Sequence, residues 1–137
     1  MIFIIGRLAV EQIVSESMAS GCFPIMLDET TDPSTSEIFL IFLRCVHRPT
    51  GFIKEMLVHM SSLPVCDAES LCQFVDEFFN SAGLLIEMMR GQSYDGASFM
   101  QGACDGMATK LLDKAKQAVR TWYCCHRLAL VAEDSCK

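Results

Sequence analysis

The sequence predicts an α/β fold in which three antiparallel strands are followed by parallel strands in one mixed sheet, with flanking helices. Apolar runs of strand length over residues 22–27 and 38–47 are typical of buried strands. An amphipathic helix predicted after residue 67 separates the third strand from the fourth and supplies the crossover that parallel strands need. The 137 residues are expected to form a single domain, 1–137, that is incomplete at its C-terminus.

The first half of the chain indicates a helix followed by a meander of three strands. Apolar side chains recur at helical spacing before Gly21, and short apolar runs separated by turn residues follow. The predicted elements are a helix over residues 6–20, a strand over 22–27 that ends at Asp28, a polar turn over 30–36, and strands over 38–47 and 52–60 joined by a turn at 48–51. The strand over 38–47 is expected to be covered on both faces because nearly every position is apolar.

The second half of the chain indicates three helices alternating with two strands. Asp67 is the predicted N-cap of a helix whose apolar stripe at i, i+3, i+4, i+7 and i+8 consists of Leu71, Phe74, Val75, Phe78 and Phe79. A right-handed crossover would place the next strand, over residues 84–95, parallel to the first strand and beside it. A helix over 102–118, a strand over 119–124 and a helix from residue 126 complete the prediction.

Asp28 and Asp95 are candidate metal ligands because each is expected to end a strand at the same edge of the sheet. Two such carboxylates can share divalent cations, which stabilise the attacking and leaving oxygens in phosphoryl transfer. The alternative is that both are ordinary turn residues. Glu29 would face away from Asp28, and Asp32 beside a proline suits a turn, so Asp28 is the preferred first ligand. Another acid, Glu87, is expected at the surface.

Charge and hydropathy argue against a domain that binds DNA unaided. The net charge is −6, with 17 acidic and 11 basic residues, whereas duplex DNA binding relies on Lys and Arg displacing counterions. Basic residues gather in the last third, where either a DNA-binding patch or a solvated helix face is expected, the latter preferred. Apolar content of 51% and a mean hydropathy of +0.31 suggest that segments outside the chain cover part of its surface.

The eight cysteines are predicted to be reduced and mostly buried rather than zinc ligands. No Cys-x-x-Cys pair occurs, and structural zinc sites normally show ligands paired at such spacing. A secretory signal and an apolar run of membrane-spanning length are both missing, so an intracellular protein without a membrane association is expected. On sequence grounds a histidine at a helix start, such as His126, is more often a capping or packing residue than a metal ligand.

Three sequence blocks in order resemble the hAT-type transposase superfamily, and in particular its domesticated animal members, the zinc finger MYM-type or DUF4371-like proteins. The blocks are Asp-Glu-Thr-Thr-Asp at residues 28–32, Arg-Gly-Gln-Ser-Tyr-Asp-Gly-Ala-Ser-Phe-Met at 90–100, and His-Arg-Leu-Ala-Leu-Val at 126–131. The resemblance implies an RNase H-like core acting on DNA through Mg²⁺ or Mn²⁺ held by two Asp and one Glu. Asp28 and Asp95 match the first two acids, and His126 and Arg127 match a further motif.

Departures from the family pattern indicate that catalysis has been lost or is incomplete. The third acid would lie beyond Lys137, so at most two of the three are present. Phe99 stands where the family usually has Asn, and Tyr123 stands at the Cys position of a Cys-x-x-His motif that ends at His126. Both substitutions place ring side chains beside motif residues, which bears on activity more than on fold.

Three functional hypotheses follow. The favoured one is a domesticated nuclear module without full catalytic activity, serving nucleic-acid- or chromatin-associated interactions. Its expected partners are DNA, through the full-length protein, and a protein partner or second copy, through a C-terminal region. The second hypothesis is an active metal-dependent DNA transposase or nuclease core whose third acid lies outside the chain. The third is an unrelated α/β binding domain whose aspartates are turn residues.

Overall fold

The computed structural model describes residues 2–31, 37–65, 67–94, 101–122, 131–132 and 135. Its elements in chain order are α1 (Ile2–Ser20), β1 (Phe23–Thr31), β2 (Glu37–Val46), β3 (Ile53–Ser62), α2 (Ala68–Ala82), a 3₁₀ turn (Ile86–Met88), β4 (Met89–Tyr94), α3 (Gln101–Lys114) and β5 (Val119–Trp122). The five strands form one sheet in the order β3-β2-β1-β4-β5. The predicted α/β fold with a mixed sheet is therefore confirmed.

Strand pairing follows the predicted meander and crossover. β1 pairs antiparallel with β2, and β2 pairs antiparallel with β3. β4 returns on the other side of β1 and pairs with it in parallel, and β5 pairs in parallel with β4. The chain between β3 and β4 contains α2, which supplies the long connection that a parallel neighbour requires.

The three described helices pack on one face of the sheet, called here the helical face. Its centre is the stripe predicted on α2, and all five of those side chains are buried. Phe79 packs against Phe23 of β1, and Phe74 packs edge-on against Phe39 of β2. Because this face buries large aromatic and aliphatic side chains from both layers, it forms the hydrophobic core.

Helix α2 begins and ends where its sequence predicts. The carboxylate of Asp67 accepts a hydrogen bond of 2.7 Å from the backbone N–H of Ser70, as an N-cap does. Gly83 closes the other end with φ of 68°, a left-handed conformation that glycine adopts without steric cost. The backbone N–H of Gly83 donates to the carbonyl of Asn80 and that of Leu84 to the carbonyl of Phe79, so the last turn is satisfied.

Several predicted boundaries are wrong, for local reasons. β1 does not end at Asp28 but continues to Thr31, because its pairing with β2 extends to Glu37. The predicted strand over residues 84–95 begins only at Met89, since a 3₁₀ turn precedes it. α3 ends at Lys114 rather than at residue 118. The predicted turn residues 32–36, the strand end at 123–124 and the helix start at 126 lie outside the described residues.

The apolar sequence of β2 predicted burial on both faces, and this prediction is wrong, because only one face of the strand is fully buried. Its side chains alternate between buried positions on the helical face and half-buried or exposed positions on the other face. Leu43 and Cys45 are buried, whereas Arg44 and Val46 are exposed. We call this other side the second face of the sheet; it contains Met26, Asp28, Leu40, Phe42 and Leu57.

Candidate metal site at Asp28

Asp28 lies on the second face of the sheet, near the end of β1. Its neighbours Leu27 and Glu29 belong to the helical face by strand alternation, and its cross-strand partner is Leu40 of β2. The side chain is half-buried, and its Oδ1 accepts a hydrogen bond of 2.9 Å from the backbone N–H of Glu29. A carboxylate oxygen is a hard donor of the type that Mg²⁺ and Mn²⁺ prefer, so Asp28 fits the predicted role chemically.

The pairing of β1 with β4 places the residues that precede Asp28 and Asp95 side by side. The last described pair of this parallel ladder is Leu27 with Tyr94. Asp28 follows the first of these residues in the sequence and Asp95 follows the second. Asp95 itself lies outside the described residues, so the joint site stays a prediction that rests on this register.

Ser93 shares the second face with Asp28 and was not among the residues predicted for the site. It pairs with Met26, which lies two residues before Asp28 on the same face. Ser93 is almost fully buried, with 9% of its surface exposed. Its position two residues before Asp95 in a strand was a usable signal, because alternate residues of a strand face the same side.

Buried hydrogen bonds attach the end of β4 to α3. The amide Nε2 of Gln92 donates to the backbone carbonyl of Ala108 at 3.0 Å, and the hydroxyl of Tyr94 donates to Oε1 of the same glutamine. The guanidinium of Arg120 on β5 lies 5.9 Å from the centre of the Tyr94 ring. Because Gln92 is fully buried, these bonds satisfy polar atoms that would otherwise be costly, and they define the position of β4 against the helical layer.

The other acids considered in the sequence separate from Asp28. Glu29 pairs with Phe39 of the helical face, so it points away from Asp28 as predicted. Glu87 is exposed in the 3₁₀ turn, also as predicted. Asp32, His126 and Arg127 lie outside the described residues, so their proposed roles stay predictions.

Within the described ranges, no group of three or more His, Cys, Asp or Glu side chains could hold a metal ion. Among the cysteines described there, Cys45 and Cys72 are buried free thiols and Cys22 is exposed. Burial raises the pKa of Cys72, so this thiol is protonated and behaves as a small apolar side chain. In the described part of the chain, no helix is long and apolar enough to cross a membrane.

The basic residues of α3 lie against acidic residues of α2. Lys110 forms an ion pair with Glu69, and Lys114 forms one with Asp76. Hydrogen bonding to Glu69 raises the pKa of Lys110, so the lysine stays protonated. Its positive charge is balanced by the carboxylate of Glu69. These pairs support the solvated helix face over a DNA-binding patch, since both lysines already have anionic partners.

Comparison with solved structures finds a match to YeaZ from Pseudomonas aeruginosa. The two share 18% sequence identity and superpose with a TM-score of 0.45. The match covers 74% of this chain and 43% of that one, so this chain spans less than half the length of the structure it matches.

Comparison with protein families gives a match over most of the chain. The family described as DUF4371: ZMYM1/FAM200, RNase-like domain, matches residues 3–106. The matched region begins in α1, contains the four strands β1, β2, β3 and β4, and ends in α3. It therefore includes Asp28 and the Leu27–Tyr94 pair. The chain belongs to the family of ZMYM1/FAM200 RNase-like domains.

Proposed function

We propose that this chain is an RNase H-like module of hAT transposase origin that serves nucleic-acid- or chromatin-associated interactions without full catalytic activity. The observation that carries the proposal is the position of Asp28 in a member of this RNase-like family. It lies on the second face of the sheet, directly after the residue paired with Tyr94. Tyr94 of that pair belongs to the motif at residues 90–100, which also contains Asp95.

Metal chemistry explains the ancestral role of such a site. Asp28 and Asp95 would hold Mg²⁺ or Mn²⁺, and the ion would supply charge stabilisation for the oxygens of a phosphodiester. The half-buried carboxylate of Asp28 fits this demand for hard oxygen ligands. A third acidic ligand is needed to match the family triad, and no such cluster occurs among the described residues.

Three observations favour an interaction role over catalysis. The net charge of −6 opposes close approach of a DNA backbone. Lys110 and Lys114, which belong to the basic third of the sequence, pair with acids of α2. Phe99 stands where the family that the chain resembles usually has Asn, and Tyr123 stands at the Cys position of its Cys-x-x-His motif. The proposed setting is nuclear, with contacts to DNA through the longer protein and to a protein partner or second copy through its C-terminal region.

The test uses this chain expressed in cells. We compare wild type with the double variant Asp28→Asn, Asp95→Asn and with Glu87→Gln, an exposed acid that serves as the charge-matched control. Chromatin association, measured by fractionation, is expected to be equal for all three proteins. Purified wild type is expected to show no Mn²⁺-dependent cleavage of duplex or hairpin DNA.

The alternative function is an active metal-dependent DNA transposase or nuclease core whose third acid lies outside the chain. The presence of Asp28 on β1, directly after the residue that pairs with Tyr94 of β4, favours it. Wild-type cleavage that disappears in the double variant and persists in Glu87→Gln would replace the first proposal by this one. Loss of chromatin association in the double variant alone would also contradict the first proposal.

A further inference from the structure

A cavity of about 720 Å³ lies on the helical face, on the opposite side of the sheet from Asp28. It is bounded by α1, α2 and β3, and apolar side chains from all three elements contribute to its walls. Pockets for small molecules typically span about 300–1,000 Å³ and combine apolar walls with a few polar groups. The volume lies within that range, and the space is open to solvent on one side.

A β-bulge in β3 directs His59 toward this cavity. His59 pairs with Ile41, whereas the next pair along the ladder is Phe42 with Leu57, so Val58 is the extra residue. Both Val58 and His59 line the cavity. Bulges are common beside binding and active sites because they reorient a side chain within a regular strand.

The imidazole of His59 is held by the aromatic residues of α2. Its ring centre lies 5.4 Å from that of Phe78 in a stacked arrangement with 19° between the planes, and 5.1 Å from that of Phe74. Burial lowers the pKa of His59, and the carboxylate of Glu77 opposes that shift. A neutral imidazole offers one hydrogen-bond donor and one acceptor.

The charged residues of the cavity neutralise one another. Arg7 and Glu11 both line it, and Arg7 Nε lies 3.3 Å from Glu11 Oε1, one helical turn apart on α1. The remaining polar side chains that line it, Ser15 and Ser81, are uncharged. Both side chains are largely exposed, at 82% and 59%, so this pair lies at the solvent-exposed rim of the cavity. An ionised ligand group placed between α1 and α2 would lose its hydration without gaining a charged partner there, which costs free energy.

We propose that this cavity binds an uncharged amphipathic small molecule. Its apolar body would lie against α1 and α2, and its hydrogen-bonding group would meet the imidazole of His59. The apolar walls for that body are Val10, Val14, Phe78 and Ala82. This site is independent of Asp28 and of the function proposed for the second face, because it lies on the other side of the sheet.

The experiment titrates the chain with p-cresol, which joins an apolar ring to one hydroxyl. Binding is followed by NMR through the imidazole signals of His59 and the methyl signals of Val10 and Val14. Saturable shifts of these signals are expected. The anionic analogue p-toluate, of similar size, is expected to bind about tenfold more weakly, because its charge finds no free partner.

Two filling variants and one control variant locate the binding. Ala82→Phe and Val10→Phe, each checked for folding by circular dichroism, are expected to weaken p-cresol binding about tenfold by occupying the cavity. Val46→Thr removes an exposed apolar side chain from the second face and is expected to bind like wild type. His59→Phe keeps a ring against α2 but removes the hydrogen-bonding nitrogens, so weaker binding is expected there too.

Several results would overturn the proposal. Shifts that never saturate, or that persist in both filling variants, would show general hydrophobic binding. Equal affinity for p-toluate would contradict the uncharged ligand class. If p-cresol does not bind and a partner protein instead protects the same methyl groups, the cavity receives a partner's side chain and the small-molecule assignment is wrong.

Discussion

The two faces of the sheet differ in burial, although the same strands form both. On β2, Phe39, Ile41 and Leu43 are almost completely buried against the helices. On the second face, Leu57 and Met60 of the neighbouring strand β3 are 43% and 56% exposed, although their side chains are also apolar. The second face also contains Asp28, a half-buried acid that would be costly inside the helical core. Stability therefore depends mainly on the helical face, and the second face is where recognition or metal binding can occur.

The largest expected effect is on unfolding free energy when an aromatic core residue is truncated. Phe79→Ala is expected to lose about 3–5 kcal/mol, because it removes the contact with Phe23 and leaves a cavity. The matched variant Leu57→Ala on the second face should lose less than about 1 kcal/mol. Urea unfolding followed by circular dichroism measures both. Equal losses would mean that the two faces contribute alike and would contradict the comparison.

A smaller effect is expected where α2 and α3 approach each other closely. A Cβ atom added to Gly106 would lie 2.9 Å from the Cβ of Ala68, so the helices must separate. Gly106→Ala should therefore lose roughly 1–2 kcal/mol despite the better helix propensity of alanine. Gly6→Ala on α1, with open space around it, should instead gain up to about 1 kcal/mol.

A double variant tests whether the close contact causes that loss. Adding Ala68→Gly to Gly106→Ala relieves the contact, and the double variant should recover part of the stability, as thermal unfolding would show. If Gly106→Ala alone is as stable as the wild type, the packing between α2 and α3 is looser than the contact distance indicates.

A pH effect is expected from His59 on the helical face. Because burial lowers its folded-state pKa below the ordinary 6.5, the unfolded chain binds the proton more readily. The contribution to stability is complete above about pH 6.5 and is lost as the pH falls toward the folded-state pKa. His59→Phe keeps the stacking on Phe78 but cannot titrate. Its stability relative to wild type should rise as the pH falls through this window, which chemical denaturation at a series of pH values would reveal.

Periodicity predicted the helical face better than the second face, for a physical reason. The stripe on α2 and the apolar runs of β1 and β2 are strong signals because burial is their only requirement. The 3₁₀ turn before β4 was missed because Leu84 and Leu85 are as apolar as strand residues, and only tertiary packing decides their conformation. The extension of β1 past Asp28 was missed because polar residues at a strand end resemble a turn.

The candidate site was only partly accessible to sequence reasoning. The resemblance and the apolar run together pointed to Asp28, which lies near the end of β1, and its role as a metal ligand stays a prediction. Ser93 and the Gln92–Tyr94 hydrogen bond were not foreseen, since their importance depends on register and on which side chain meets α3. The bulge at Val58 could not be foreseen either, because an extra residue in one strand has no signal of its own in an apolar segment.

The smallest expected effect on unfolding free energy, and the sharpest contrast between the faces, comes from Asp28→Asn. The amide keeps the size of the side chain and an oxygen that can accept the 2.9 Å hydrogen bond from the N–H of Glu29, so the metal-free stability should change by less than about 0.5 kcal/mol. If Asp28 binds metal, Mn²⁺ at about 100 times its Kd stabilises wild type by about 2.7 kcal/mol, and the variant loses this gain. Thermal unfolding with and without Mn²⁺ separates the two contributions, with Glu87→Gln as the control. A wild type whose melting temperature ignores Mn²⁺ would show that the second face has kept the position of the acid but not its metal.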